Sequence, residues 1–163
     1  MRLKAWLTFI TVAILLVIFP SCGHEYGILE YQNGNVFAVC EVNGEYTVNI
    51  IKEGNARKLE VVSPSEMAGV SFVFDEKCRI IYDGLELEMQ RSELLGISTL
   101  CSIFDLNEGM ISAVSDDEYN TVSFNSDTIC YTVTYNSVSL PERVVISGDF
   151  EYDIIIKSIS LDK

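Results

Sequence analysis

Apolar and polar residues alternate along most of the chain after residue 35, with the period of two that is typical of half-buried β-strands. The first two runs place their apolar residues on one face each: Val36, Ala38, Cys40 and Val42, then Tyr46, Val48 and Ile50. Asn43-Gly44 lies between these runs. Because Asn and Gly both accept a positive φ, this dipeptide predicts a tight hairpin turn.

Further alternating runs follow, and β-branched and aromatic residues dominate them, as a pleated surface prefers. Asp83-Gly84 predicts a second tight turn. The predicted strands beyond the first hairpin are Leu59–Val61, Val70–Phe74, Cys78–Tyr82, Leu85–Met89, Met110–Val114, Tyr119–Phe124, Ile129–Tyr135, Glu142–Ile146 and Tyr152–Leu161.

One segment changes period. Leu94, Ile97, Cys101 and Phe104 recur at helical spacing. We therefore predict one substantial helix over about residues 92–106, with Ser92 as its N-cap.

Eight to ten sequential strands with short turns predict a long antiparallel meander. Such a meander buries its apolar face by curling into a barrel or by packing a second layer against it, and a single helix covers only part of a large sheet. The predicted fold is mainly β (α+β): a strongly curved antiparallel sheet or half-open β-barrel, with the helix packed on its concave face.

The first residues have the composition of an export signal. Arg2 and Lys4 precede an apolar run, Ala5–Phe19, that is short for a membrane-spanning helix, which needs about 20 apolar residues. The segment Ile18-Phe19-Pro20-Ser21-Cys22 resembles a lipobox, where a signal peptidase cuts before a lipid-modified cysteine. The resemblance implies a signal peptide over residues 1–21 and acyl chains, palmitate among them, on Cys22.

This interpretation predicts a lipoprotein anchored to the cell membrane on its extracytoplasmic side, with a Gly-containing tether (22–35) before one domain (36–163). An ordinary secretory signal with an incidental cysteine and a retained N-terminal anchor are the alternatives. Removing Arg2 and Lys4 with the signal changes the formal charge from −13 to −15. Because such a surface repels phosphate backbones, we expect no nucleic-acid partner.

Little in the sequence predicts catalysis. The single histidine, His24, lies two residues after the proposed anchor, which disfavours a histidine-based triad or metal site. Acidic clusters are interpreted as solvated turns. Cys40, Cys78, Cys101 and Cys130 show no metal-binding spacing, so they form up to two disulfides or remain buried thiols. We expect no enzyme activity, cofactor or metal.

The order of elements resembles the LolA-like lipoprotein-carrier superfamily over about Val36 to Leu161. Three segments carry the resemblance: the Pro-to-Gly loop Pro64–Gly69 between strands, Ile80–Leu85 followed by a helix, and Leu140–Ile146 before a closing strand. It implies a helix-covered apolar cavity that accepts acyl chains or another hydrophobic ligand.

The predicted function is therefore binding of a lipid or other hydrophobic molecule. The candidate lining residues are Phe72, Phe74, Tyr82, Leu87, Leu95, Phe104, Phe124 and Tyr131. Simple core packing explains the aromatic members of this set without a ligand, since small barrels fill their interiors with side chains. The alternative function is a protein-interaction or structural module of the cell envelope with a solid core and an unidentified protein partner.

Overall fold

The computed structural model describes residues 34–115 and 120–162. The strands in these ranges are β1 (Asn35–Val42), β2 (Tyr46–Glu53), β3 (Ala56–Ser63), β4 (Ser71–Phe74), β5 (Cys78–Tyr82), β6 (Leu85–Met89), β7 (Ile111–Ser115), β8 (Thr121–Ser126), β9 (Ile129–Tyr135), β10 (Pro141–Gly148) and β11 (Tyr152–Asp162).

All eleven strands form one antiparallel sheet with the order β6-β5-β4-β3-β2-β1-β11-β10-β9-β8-β7. The first and last strands pair at its centre, and β6 and β7 form its two edges. The predicted fold class is confirmed, in the open form: the sheet is curved but does not close into a barrel.

The two predicted Gly-containing turns are present. Asn43 and Gly44 have φ angles of 54° and 69°, and Asp83 and Gly84 have 48° and 75°. Consecutive positive φ values define the turn type whose twist matches that of the flanking strands. These turns set the β1–β2 and β5–β6 registers, which place Val42 opposite Tyr46 and Tyr82 opposite Leu85.

The chain crosses from the β6 edge to the β7 edge through a helical stretch, here called the helical cover. It consists of a 3-10 turn (Arg91–Leu94), the helix α1 (Leu95–Cys101) and a second 3-10 turn (Ser102–Phe104). A further 3-10 turn, Glu108–Met110, leads into β7. The predicted helix is thus present, although it begins and ends earlier than expected.

The prediction of Ser92 as N-cap is wrong. The helical cover begins one residue before Ser92, with Gln90 in the N-cap position. The Gln90 backbone N–H donates to Oε2 of Glu93 at 2.9 Å. Because Gln90 follows β6 almost directly, the turn out of the strand, rather than the serine, sets where the helical cover starts.

Contacts from three parts of the sheet hold the helical cover over the concave face. A Cβ on Gly96 would lie 2.7 Å from the Tyr152 hydroxyl, so glycine allows α1 to approach β11 closely. The Ser102 and Tyr131 hydroxyls are 2.9 Å apart and share a hydrogen bond. Arg57 of β3 forms an ion pair with Asp105, just beyond the end of the helical cover.

The hydrophobic core lies between the helical cover and the centre of the sheet. The cover contributes Leu94, Leu100, Cys101, Ile103 and Phe104, all at most 7% exposed. The predicted inward faces of β1 and β2 are confirmed, since Val36, Ala38, Cys40, Val42, Val48 and Ile50 are all buried. Cys40, Cys78, Cys101 and Cys130 are free thiols.

Several predictions fall on other parts of the chain. The predicted signal peptide, Cys22 and the tether up to residue 33 lie outside the described residues, as does Tyr119 at the predicted start of a strand. Within residues 34–115 and 120–162, no helix has the length and apolar character needed to cross a membrane.

Candidate ligand-binding site

The strand registers align apolar side chains in a continuous row across the concave face. Directly paired positions in β2 to β6 form this row, here called the middle row: Ile50, Leu59, Phe72, Ile80 and Leu87. The exposed fraction of the side chain rises from 0% at Ile50 to 58% at Leu87. The row therefore begins in the buried core and ends with a solvent-exposed side chain at the edge of the sheet.

Apolar surface is concentrated at this edge. Tyr82, Leu85 and Leu87 lie on the concave face of β5 and β6 and are 49%, 75% and 58% exposed. We call these three residues the apolar lip. Glu86 and Glu88 alternate with them and project from the opposite face, where they form ion pairs with Arg79 and Lys77. The apolar lip is therefore an uncovered continuation of the hydrophobic core.

The eight predicted lining residues separate into two groups. Tyr82, Leu87 and Leu95 are exposed, Leu95 at 49%. The remaining five are buried in the core, at 8% exposed or less: Phe72, Phe74, Phe104, Phe124 and Tyr131. Their burial shows that the centre of the concave face is filled by protein side chains, so uncovered apolar surface is found toward the β6 edge.

Leu85 belongs with the exposed group but was not among the predicted lining residues. The signal for it was present, because Leu85, Leu87 and Met89 alternate with acidic residues and so share a face.

Tyr131 carries a hydroxyl group on a buried side chain. Burial raises the pKa of its phenol, which its hydrogen bond with Ser102 partly offsets. The hydrogen bond joins β9 to the helical cover.

A polar cavity of about 280 Å³ lies along the helical cover, between residues of its first turn and the residue after its end. Its lining is rich in charged and hydroxyl side chains: Asn55, Arg57, Phe74, Arg91, Ser98, Thr99, Cys101, Ser102 and Asp105. Arg57 donates to both carboxylate oxygens of Asp105, through Nε at 2.7 Å and through Nη2. No local pattern in the sequence indicates this cavity, because Arg57 and Asp105 are 48 residues apart.

The site offers apolar surface and hydrogen-bond donors but no cluster suited to a metal. In the described part of the chain, no three His, Cys, Asp or Glu side chains are placed to hold a metal ion. This geometry suits the non-covalent binding of an apolar molecule.

Comparison with known proteins gives likenesses of fold only. No family model matches the chain, and neither does any curated protein. Similar solved structures include an uncharacterised conserved protein from Thermus thermophilus, 10% identical, with a TM-score of 0.48 over 83% of this chain and 86% of that one. Another is a LolA superfamily protein from Nitrosomonas europaea, 10% identical, with a TM-score of 0.45 over 84% and 93% of the two chains.

Proposed function

We propose that the protein is a membrane-anchored extracytoplasmic lipoprotein that binds a lipid or another hydrophobic ligand on its concave face. The apolar lip carries this proposal, because its three side chains extend the core surface beyond the helical cover. Contiguous exposed apolar surface typically marks a binding site, whereas single exposed leucines are ordinary.

The position of the apolar lip on an edge strand strengthens the proposal. An edge strand leaves backbone groups unpaired, and soluble proteins usually protect such edges with charges, bulges or coverage. In β6 the outward face is charged, at Glu86 and Glu88, while Leu85 and Leu87 remain open on the concave face. A bound apolar chain would shield these leucines from water. Each buried CH₂ group contributes about 0.8 kcal/mol.

The proposed anchor places this site near a membrane. A lipid on Cys22 would hold the domain through a tether that reaches at most about 45 Å when fully extended to β1. A lipid taken from or given to that membrane is therefore the natural ligand class. The acidic surface, with a formal charge of −13 for the whole chain, favours zwitterionic over anionic membrane surfaces.

Native mass spectrometry of the gently purified full chain tests the ligand. We expect a mass shift from a co-purified lipid, and saturable binding of a fluorescent fatty acid after that lipid is removed. A protein that carries no ligand and leaves the fluorescent fatty acid unbound would contradict the proposal. That result would favour the second candidate, an interaction or structural module, which the filled centre of the concave face supports.

Lipid labelling tests the anchor independently. We expect the full chain to incorporate labelled palmitate when it is expressed in a bacterium, and Cys22→Ser to lose the label, because a serine hydroxyl cannot take the place of the cysteine sulfur that carries the lipid. Cys130→Ser is the matched control and should keep the label. Equal labelling of both variants would contradict lipid anchoring at Cys22.

A further inference from the structure

The polar cavity and the apolar lip lie on the same face of the sheet at a distance that the register fixes. Phe74 lines the cavity, and Phe72, two residues earlier in β4, belongs to the middle row. Same-face neighbours along a strand are about 7 Å apart, and adjacent strands are about 4.8 Å apart. Leu87 lies two strands from Phe72, so about 12 Å separates the cavity wall from the apolar lip.

The cavity carries positive charge in an acidic protein. Its charged lining residues are Arg57, Arg91 and Asp105, two guanidinium groups against one carboxylate. The Asp105 carboxylate is already engaged by Arg57 and lies 3.2 Å from Nζ of Lys52. The chain as a whole has a formal charge of −13, so this local excess of positive charge favours an anion over a cation.

The two arginines differ in how many donors remain for a ligand. Arg57 donates to Asp105 through Nε and Nη2, and its Nη1 donates to the carbonyl oxygens of Gly54 and Ala56. Four of its five N–H groups are therefore used. Arg91 is exposed and forms no hydrogen bond or ion pair within residues 34–115 and 120–162. Arg91 is thus the charged donor left free at the cavity, beside the neutral amide of Asn55.

The Ser98 and Thr99 hydroxyl groups do not supply free hydrogen-bond donors to the cavity. The Ser98 and Thr99 hydroxyls donate to the carbonyl oxygen of Leu95, at 3.0 and 2.8 Å, which leaves only their lone pairs toward the cavity. A ligand group that accepts hydrogen bonds from Arg91 and from the last N–H of Arg57 fits the available donors. Carboxylate and phosphate oxygens are such groups.

We infer that the polar cavity binds the anionic headgroup, a carboxylate or a phosphate, of an amphiphile whose apolar chain runs from Phe74 over the partly buried Met89 and Ile80 to the apolar lip. This inference rests on the proposed function and specifies its ligand as an anionic single-chain or lysolipid-like molecule.

A titration of the full chain with a dansyl-labelled fatty acid and with its uncharged methyl ester tests the inference. We expect the acid to bind about tenfold more tightly than the ester, since a hydrogen bond to a charged group typically contributes that much. Arg91→Gln should remove this preference and leave ester binding unchanged. Arg91→Lys, which keeps the charge, should restore part of it.

Arg143→Gln is the charge-matched control. Arg143 is exposed on the outer face of β10, where its guanidinium is paired with Asp153, so its loss should change neither affinity by more than about twofold. Circular dichroism of each variant checks that the fold is retained.

The outcomes separate this inference from the proposed function. If acid and ester bind equally to the wild type and to Arg91→Gln, the headgroup inference fails while hydrophobic binding stands. If neither binds, both fail. A lysophospholipid that binds more tightly than the fatty acid, with the same Arg91 dependence, assigns the headgroup as phosphate. Inorganic phosphate that binds at the cavity while both amphiphiles fail to bind would overturn the inference in favour of a free anion.

Discussion

Nζ of Lys52 donates a 2.8 Å hydrogen bond to the backbone carbonyl oxygen of Phe104. Lys52 is only 7% exposed, although its position in the sequence of β2 gives no sign that it is buried. The bond joins the centre of the sheet to the last residue of the helical cover. Since the final carbonyl groups of a helical stretch lack partners within it, Lys52 satisfies one of them and fixes where the cover ends.

Replacing Lys52 tests this attachment. We expect Lys52→Met to lower the free energy of unfolding by about 1–3 kcal/mol, because the hydrogen bond from Lys52 to the Phe104 carbonyl and the ion pair with Asp105 are both lost. Urea denaturation measures the change. Lys58→Met is the control: Lys58 lies on the same hairpin with a side chain that is 39% exposed and paired with Glu60, so its loss should change stability by less than about 0.5 kcal/mol. Equal effects of the two substitutions would contradict the attachment.

Asn43 joins the first hairpin to the closing strand of the sheet. Its Oδ1 accepts a hydrogen bond from the Asp153 backbone N–H at 2.8 Å, and its own backbone N–H donates to the Asp153 carbonyl at 2.8 Å. The positive φ of 54° adds a conformational demand that alanine meets poorly. We expect Asn43→Ala to lower the free energy of unfolding by about 1–2 kcal/mol more than Asn43→Gly, which loses only the side-chain acceptor. Equal denaturation midpoints for the two variants would contradict a contribution of the positive φ at residue 43 to stability.

The buried thiols predict a loss of stability at high pH. Burial raises the pKa of Cys40 from 9.0 to about 12, and the pKa of Cys101 by a similar amount, to about 12. Both thiols stay protonated in the folded protein after they ionise in the unfolded chain. The stability associated with them is therefore complete below pH 9 and is lost as the pH rises from 9 toward 12.

Urea titrations in reducing buffer at pH 7 and pH 10 measure this effect. We expect the free energy of unfolding to fall by roughly 1 kcal/mol per thiol at pH 10. Cys40→Ala should remove one thiol's share of that fall, whatever it does to stability at pH 7. An unfolding free energy that does not change between the two pH values would contradict the burial of these groups.

The fold was predictable because its determinants are local. Alternation in β1 and β2, the positive φ values at Asn43-Gly44, and the helical spacing of Leu94 to Phe104 each act over a few residues. The degree of exposure was not predictable in the same way. The alternation of apolar and polar residues predicts that Phe72 and Leu87 share a face. Their burial depends on the three-dimensional path of the helical cover, which buries Phe72 and leaves Leu87 exposed.

The polar cavity was beyond sequence reasoning for a related reason. Its charged residues come from β3, the first turn of the helical cover and the residue after the cover's end. No local pattern links Arg57 to Arg91 or to Asp105. In the sequence, each of these residues has the pattern of an ordinary charged surface residue. Lys52 was equally hidden, because nothing in its neighbours indicates that a backbone carbonyl lies within its reach.

The most direct measurement for the central claim compares the affinity of the purified full chain for a fluorescent fatty acid in two matched variants. Leu87→Ser removes an exposed side chain from the apolar lip. Ile155→Ser removes one of similar size, 39% exposed, from the outer face of β11, where its neighbours are Arg143 and Glu41.

We expect Leu87→Ser to weaken binding about tenfold, the effect of losing one or two kcal/mol of apolar contact, and Ile155→Ser to leave the affinity unchanged. Equal affinity in both variants, or a larger loss in Ile155→Ser, would contradict ligand binding on the concave face.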